Sequence, residues 1–458
     1  MHEETTVPKM KRLNSGLLYT VVSALIIIFG AVLAIQYAKG GYRLTDQGIA
    51  QGTGLLSVNS FPTGAEVFID DRLVTATDDT LYLEPGQYKV EIKRDGYTTW
   101  EKLINIEEEL VAQTNARLFP MAPSLTPLTF TGVTNLSPSP DGQKVLFHVA
   151  SASASRKNGL YILEFSSSPL SFQNGPRQIA EDTPEFDLAN ARFIWSPDSS
   201  EIMMITGNRQ VMLQSDRLQN LQTLQDIFPT QKQILSEWEQ EMYIRERQYL
   251  EQFPPEVVAV ATSSAKNVYI SPDKKRLLYT ATESAEIPDT IVPPLPATNT
   301  QSEERQLQAG GIYVYDREED KNFRIGSEAT DSAQANQPRK QLLATDLQSS
   351  VNAVTNASAS SFTTLQASDS AQTAANFRVY HSSLYTNTFQ WYPDSRHLFF
   401  VADDAIKVLE YDGTNTTTLY NGPFDPAFVY PWPDGNRLII KTFFSMSAPD
   451  NLYGLELR

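Results

Sequence analysis

The chain has 458 residues, 41% hydrophobic and 10% aromatic, which is enough for two or three domains with sizeable cores. It has no cysteine, so disulfides and thiolate metal sites are excluded. Its formal net charge of −17 argues against nucleic-acid binding, which needs a basic face, and also disfavours anionic lipid surfaces.

The first predicted element is an apolar helix near the N-terminus. No charged residue occurs from Leu17 to Ile35, a length that spans a bilayer. The basic residues Lys9, Lys11 and Arg12 precede it and favour a cytoplasmic N-terminus. A cleaved signal peptide shares these basic residues, but its apolar core is usually shorter, so we expect an uncleaved anchor. The resulting segments are a cytoplasmic tail (1–15), a transmembrane signal anchor (16–38) and a linker (39–53).

A compact β-sandwich is predicted next, at residues 54–120, because short apolar runs alternate with turns rich in Pro, Gly and Asp. The runs are Leu56 to Val58, Ala65 to Ile69, Tyr88 to Ile92 and Trp100 to Ile106. For the aromatic residues Tyr88, Tyr97 and Trp100 we expect packing in the core or on a sheet face. Glycan stacking is the alternative.

This segment resembles the PEGA domain in three stretches, which are Phe61 to Asp70, Leu83 to Tyr88 and Arg94 to Tyr97. The Pro-Glu-Gly-Ala signature of that domain appears here as Pro62-Thr63-Gly64-Ala65. Pro62 and Gly64 supply the turn geometry, so a solvent-facing Thr63 changes little. The resemblance implies a module of bacterial and archaeal surface proteins that contacts envelope components.

A turn motif recurs five times after residue 135, and it predicts a repeat architecture. The copies are Ser139-Pro140-Asp141-Gly142, Ser196-Pro197-Asp198-Ser199, Ser271-Pro272-Asp273-Lys274, Tyr392-Pro393-Asp394-Ser395 and Trp432-Pro433-Asp434-Gly435. An apolar run follows each copy, and after most copies a second run follows. We expect each aspartate to be structural, because it can accept backbone N–H bonds within the turn.

The motif resembles that of TolB-type, WD-repeat-like β-propellers, and the resemblance covers residues 124–458. The last two copies lie 40 residues apart, close to the length of one four-stranded blade. Five blades are visible and six are possible, with Leu125 to Thr131 expected to add the outer strand of the final blade. The fold class is therefore mainly β: an anchor helix, a sandwich and a propeller with a helical insertion.

Two kinds of insertion are predicted within the propeller, a helical one at 215–256 and low-complexity ones at 284–309 and 327–376. The helix, Thr230 to Gln252, is expected to open with a capping box of Thr230 and Gln233 and to pair Glu241 with Arg245. Its apolar face carries Leu235, Trp238, Met242, Tyr249 and Phe253. Packing of that face on the propeller is the prediction, and partner docking is the alternative.

No catalytic, cofactor-binding or metal-binding residue is predicted. The sequence has no Gly-x-Ser-x-Gly elbow, no phosphate-binding Gly-rich Lys loop and no His-Glu-x-x-His helix. The four histidines, His2, His148, His381 and His397, are scattered. The acidic pairs Asp70-Asp71, Asp78-Asp79 and Asp403-Asp404 lack calcium-loop spacing, so we expect solvated turn carboxylates rather than a calcium site.

Together these patterns predict a non-catalytic, single-pass membrane protein whose bulk lies outside the cytoplasmic membrane. It would bind an envelope polymer or envelope protein, or act as a scaffold for a membrane complex. The alternative is a propeller-based hydrolase or lyase that acts on envelope glycan or peptide through carboxylate pairs.

Overall fold

The computed structural model of the protein describes residues 15–38, 43–44, 50–165, 175–207, 209–289, 291–292, 299–328, 389–443 and 449–458. Most of the predicted tail, of the 39–53 linker and of the 327–376 insertion lies outside these residues. The chain forms two compact units. The small unit comprises Met1–Ile92, Leu103–Ala116 and Pro296–Thr300, and the large unit comprises Lys93–Lys102, Arg117–Leu295 and Gln301–Arg458.

The small unit begins with helix α1, Ser15–Ala38. Over the residues whose side chains are described, no helix is both long and apolar enough to cross a membrane. A short hairpin follows, made of β1 (Arg43–Leu44) and β2 (Ala50–Gln51).

Two main sheets build the rest of the segment predicted as a sandwich. The strands are β3 (Gly54–Val58), β4 (Ser60–Phe61), β5 (Glu66–Ile69), β6 (Arg72–Ala76), β7 (Asp79–Leu83), β8 (Gly86–Lys93), β9 (Trp100–Ile106), β10 (Val111–Gln113) and β11 (Ala116–Arg117). The sheet orders are β10-β3-β7 and β6-β5-β8-β9, and β11 pairs with β4. Side chains alternate along β3, so that Leu56 and Val58 are buried.

The Pro-Thr-Gly-Ala turn has the geometry that its sequence predicts. Gly64 adopts a φ of 73°, which favours glycine, and Thr63 is exposed. Thr77 closes the turn, because its carbonyl accepts the Gly64 N–H at 3.0 Å and its hydroxyl accepts the Ala65 N–H at 3.0 Å. The position of Thr63 therefore tolerates replacement of the signature Glu.

Among the described residues, the large unit contains five antiparallel sheets of three or four strands, named sheets 1 to 5 in the order of their turn motifs. Sheet 1 is β13 (Thr134–Pro138), β14 (Lys144–Val149), β15 (Gly159–Glu164) and β16 (Arg177–Glu181); sheet 2 is β17 (Arg192–Trp195), β18 (Glu201–Thr206) and β19 (Arg209–Gln214). Sheet 3 is β20 (Ala265–Ile270), β21 (Arg276–Ala281), β24 (Gly311–Asp316) and β25 (Lys321–Ser327), with a separate hairpin of β22 (Ala285–Glu286) and β23 (Gln306–Leu307). Sheet 4 is β26 (Gln390–Trp391), β27 (His397–Ala402), β28 (Ala405–Glu410) and β29 (Thr417–Tyr420). Sheet 5 is β12 (Leu125–Pro127), β32 (Asn451–Glu456), β31 (Arg437–Thr442) and β30 (Val429–Pro431).

The final sheet is completed by a strand that precedes sheet 1 in sequence, as predicted. Strand β12 pairs antiparallel with β32, with Leu125 opposite Leu455. This pairing joins two segments more than three hundred residues apart in sequence, so sheet 5 cannot form until both are present.

All five turn aspartates serve the backbone, which confirms their predicted structural role. Each carboxylate accepts the N–H two residues further on, at 2.9 Å for Asp141, 3.1 Å for Asp198, 3.0 Å for Asp273, 2.9 Å for Asp394 and 2.9 Å for Asp434. The fourth turn residue has a positive φ in every copy, between 60° and 72°. A type I turn followed by one left-handed residue is a common way to join two antiparallel strands.

Neighbouring sheets share buried apolar clusters. One cluster joins sheets 1 and 2, a second joins sheets 1 and 5, a third joins sheets 4 and 5, and a fourth joins sheets 3 and 4. The largest fully buried side chains include Tyr279, Tyr313 and Tyr392. Packing of sheet on sheet therefore provides the core of the large unit.

Two helices lie between sheets 2 and 3 in sequence, α2 (Gln231–Leu250) and α3 (Pro255–Ser263). Leu235 and Trp238 of α2 are buried against sheet 2, so the predicted packing of the apolar face is confirmed. Glu241 and Arg245 form the predicted ion pair at 2.8 Å. The capping box is wrong, because Thr230 caps no N–H and Gln233 instead donates to Glu237. Helix α3 was not predicted; it starts at a proline and packs on sheet 3.

The described part of the 284–309 insertion contains regular structure that its composition does not predict. Strands β22 and β23 pair within it, and Leu307 is buried in the core of sheet 3. Arg305 lies 3.4 Å from Asp320, whose carboxylate also accepts the Tyr315 hydroxyl at 2.8 Å. The few apolar and charged residues of this segment are thus placed where they bond to sheet 3.

Candidate functional site

The large unit contains an open polar pocket beside β29, an outer strand of sheet 4. Its volume is about 690 Å³, within the usual range for ligand sites. The lining residues are Thr98, Thr99, Met121, Lys407, Asn415, Thr416, Thr417 and Thr418. Five of these eight are threonines, and none is aromatic.

A buried ionic cluster supports this pocket. The Lys102 ammonium lies between Glu410, at 2.6 Å, and Asp412, and all three side chains are nearly inaccessible to solvent. The indole Nε1 of Trp100 donates to Glu410 Oε1. Burial acts to lower the pKa of Lys102, but the two carboxylates outweigh it and hold that pKa above its ordinary value. Lys102 is therefore a cation at neutral pH, and it bonds two buried carboxyl groups.

Asn415 connects the cluster to the pocket. Its amide Nδ2 donates to Glu410 Oε1 at 2.9 Å, and its Oδ1 accepts the backbone N–H of Glu101 at 2.9 Å. The residue has a φ of 54°, a left-handed conformation that asparagine tolerates better than most residues. Asn415, which we call the floor of the pocket, is thus held by hydrogen bonds to a buried carboxylate and to the backbone.

The threonines divide into structural and open positions. Thr98 Oγ1 accepts the Phe119 N–H at 3.0 Å, so it holds the chain that leads to Met121. Thr99, Thr416 and Thr418 are exposed. An array of exposed hydroxyls on a rigid floor can accept and donate hydrogen bonds to a polar ligand.

Among the aromatic residues considered for glycan stacking, Trp100 is buried at 2% exposure and bonded to Glu410. Tyr88 and Tyr97 are half-buried, with the Tyr88 hydroxyl donating to the Glu84 carbonyl at 3.0 Å. Trp100 therefore packs, as predicted, and offers no face to a sugar. Tyr82, which the sequence analysis did not consider, is 60% exposed on β7.

The histidines that the structure describes each contact one aspartate. His148 Nε2 lies 3.0 Å from Asp182 and its Nδ1 lies 3.1 Å from the Thr134 hydroxyl. His397 Nδ1 lies 2.8 Å from Asp394, one of the turn aspartates. Both rings are buried in strands. Within the described ranges, no group of three or more histidine or acidic side chains is arranged to hold a metal ion.

The pocket was not predicted, because its parts are distant in sequence. The threonine run at 416–418 is visible in the sequence, but Lys102 and Glu410 are 308 residues apart. The one sequence signal is Lys102, a charged residue within the predicted strand Trp100 to Ile106. Its buried partner Asp412 is visible only in the structure.

A search of protein families matches residues 53–121 to the PEGA domain, which confirms that resemblance. No curated protein matches the sequence. Similar solved structures include a protein assigned as TolB from Agrobacterium tumefaciens, with 12% identity, a TM-score of 0.19 and coverage of 71% of this chain and 73% of that one. TolB from Acinetobacter baumannii has 10% identity, a TM-score of 0.17 and coverage of 80% and 59%. Oligogalacturonate lyase from Vibrio parahaemolyticus has 9% identity, a TM-score of 0.24 and coverage of 81% and 86%.

Proposed function

We propose that the protein is a non-catalytic binding or scaffold protein of the cell envelope, anchored in the cytoplasmic membrane and facing outward. The pocket beside β29 is its recognition site. The observation that carries this proposal is the preorganised floor, where Asn415 is fixed to Glu410 and to the Glu101 backbone. Such a floor requires little reordering on binding, so more of the contact energy appears as affinity.

The anchor rests on the apolar stretch from Leu17 to Ile35 and on the basic residues before it. Several side chains of α1 are largely exposed, among them Leu25, Ile26 and Ile27. Apolar side chains on the outside of a helix need a covering phase, and lipid supplies one. The net charge of the whole chain is −17, and the remainder that carries most of its acidic residues then lies outside the cytoplasm.

The large unit is a β-propeller with five blades, formed by sheets 1 to 5. Shared clusters support the neighbour order 2-1-5-4-3. Helices α2 and α3 connect sheet 2 to sheet 3 along the chain. Arg245 of α2 donates to the Pro197 carbonyl in the turn of sheet 2, at 3.0 Å. The centre of the Tyr249 ring lies 4.5 Å from Lys274 Nζ in the turn of sheet 3. Helix α2 thus replaces a sixth blade.

The function is tested by co-sedimentation of the full-length protein, held in mild detergent, with the insoluble envelope of the source cells. Asn415→Gly keeps the left-handed backbone but removes the side chain that fixes the floor. The matched control is Asn267→Gly, because Asn267 has a similar φ of 51° and lies in sheet 3, away from the pocket. We expect the wild type and N267G to sediment equally, and N415G to need about tenfold more envelope.

Two results would count against the proposal. Equal sedimentation of N415G and the wild type would remove the pocket from the binding site. Absence of sedimentation for all three proteins would refute binding to the envelope itself.

A further inference from the structure

Thr416 and Thr418, before and within β29, direct backbone groups away from sheet 4, as the hydrogen-bond pattern of that sheet indicates. Ala402 and Ala405 flank a two-residue turn, and the Tyr411 N–H donates to the Arg396 carbonyl at 2.8 Å. Because bonded pairs alternate along an antiparallel ladder, residues 405, 407 and 409 direct their backbone toward β27. Residues 406, 408 and 410 therefore face β29.

The same alternation settles which residues of β29 face outward. Thr417 is opposite Val408, so its N–H and C=O point into the sheet. Thr416 and Thr418, on either side, direct theirs away from it. No other strand of the described chain pairs with this edge of β29. Thr416 to Thr418 all line the pocket, together with Thr98, Thr99 and Met121.

This part of the edge lacks the usual protection against pairing. Edge strands are commonly blunted by proline, by lysine, by a bulge or by a covering segment. β29 contains neither proline nor lysine, and the register irregularity of the β28–β29 pair lies beyond Thr418, toward Tyr420. Threonine favours strands, so the conformation of Thr416 to Thr418 suits pairing with a further strand.

We propose that the pocket receives an extended polypeptide segment of a partner protein, which pairs with Thr416 to Thr418 as an additional strand of sheet 4. This inference rests on the proposed binding function and names its ligand class. Main-chain bonds to β29 hold the segment. Its side chains on one face meet the hydroxyls of Thr98 and Thr99, so small polar or β-branched residues fit best.

A proline at position 418 tests the strand pairing directly. Thr418→Pro removes one outward N–H. The bonds between β29 and β28 stay intact, because the N–H of this edge-strand position does not point toward β28. Thr418→Val is the matched control, because it removes the hydroxyl and keeps the N–H. In the envelope assay we expect T418P to bind about tenfold more weakly than T418V, which lacks the same hydroxyl but keeps the N–H. Thermal unfolding of both variants checks that they fold.

A defined probe complements the variants and leaves the protein unchanged. The probe is the peptide acetyl-Lys-Thr-Val-Thr-Val-Thr-Val-Lys-amide, labelled for fluorescence anisotropy, and its control carries N-methyl groups on all six central residues. Both peptides have the same charges and side chains, but the control lacks the donors that a strand needs. We expect saturable binding of the first peptide at micromolar to millimolar concentration, reduced by T418P, and no binding of the second.

The outcomes separate the mode of binding from the function. If N415G weakens envelope binding while T418P does not, the pocket binds through side chains, and the strand proposal is overturned although the function stands. Equal binding of both peptides overturns it as well, and so does absence of peptide binding. If no protein sediments with the envelope, the proposed function fails, and the strand proposal fails with it.

Discussion

Replacing Lys102 by methionine is expected to destabilise the large unit more than any surface substitution. The three side chains of the cluster carry one positive and two negative charges, and their exposures are 9% for Lys102, 9% for Glu410 and 0% for Asp412. Removal of the ammonium deprives the buried Glu410 and Asp412 carboxylates of the cation that lies between them. Loss of one partner from a buried ion pair typically costs about 3–5 kcal/mol, and we expect a loss of that size in the free energy of unfolding.

The pH dependence of this contribution has a definite sign. The folded pKa of Lys102 is raised above its ordinary value of 10.5. Its stabilising effect is therefore complete below that value and is lost only as the pH rises through the higher folded pKa. The difference between the wild type and K102M should not change between about pH 7 and pH 9.

Urea unfolding of the full-length protein in detergent, followed by tryptophan fluorescence, measures the loss. The control is the triple variant K102M/E410Q/D412N, in which the amide oxygens still accept the bonds from Trp100 and Thr414. Since no buried charge remains, the triple variant should recover most of the lost stability. A loss below about 1 kcal/mol for K102M, a value typical of surface pairs, would refute the view that the cluster is dry and rigid.

Three further predictions concern other parts of the large unit. Burial acts to raise the pKa of Asp394, but the charge and hydrogen bond of His397 outweigh it and hold that pKa well below its ordinary 3.8. The stability that Asp394 contributes is therefore present above pH 3.8 and is lost as the pH falls toward the folded pKa. In urea titrations, D394N should lower the free energy of unfolding by about 1–3 kcal/mol at neutral pH and flatten this acid dependence. Burial raises the pKa of Glu246 from 4.5 to about 7, so the folded wild type loses stability as the pH rises through this interval. In the same titrations at pH 8, E246Q should be more stable than the wild type by about 1–2 kcal/mol. Equal stability of the two proteins at pH 8 would contradict the burial of Glu246. Trp238→Ala should cost about 3–5 kcal/mol because Trp238 is 9% exposed, whereas Tyr243→Ala on the same helix, at 61% exposure, should change the free energy of unfolding by less than about 0.5 kcal/mol; similar losses would contradict the packing of α2.

The features that could be predicted from the sequence are those whose physical cause is local. The five turns depend on a proline, an aspartate and a left-handed residue within four positions, and each occurs where its motif lies. The Thr230–Gln233 capping box also seemed local. Its failure is explained by a competing acceptor, because the Thr230 hydroxyl donates to the Ile227 carbonyl instead.

The pocket could not be predicted, because it depends on tertiary pairing. Glu410 gains its function from Trp100, Lys102 and Asn415, and only Asn415 is near it in sequence. Helix α3 was missed for a different reason. Two successive prolines end α2, but the second is also a favourable first residue of a helix. The dipeptide Pro254-Pro255 therefore indicates both the end of one helix and the start of the next.

The fourth turn shows why closeness of histidine and aspartate is poor evidence for catalysis in this chain. In the first three turns a serine hydroxyl donates to the turn aspartate, as in the 2.6 Å bond between Ser196 and Asp198. The fourth turn has Tyr392 in place of serine, and its hydroxyl donates to the Gly435 carbonyl in the next turn. Asp394 would then lack its side-chain donor, and His397 supplies one from the following strand. The pair therefore substitutes for a serine of the repeat, and a search for active sites by distance alone would select a turn.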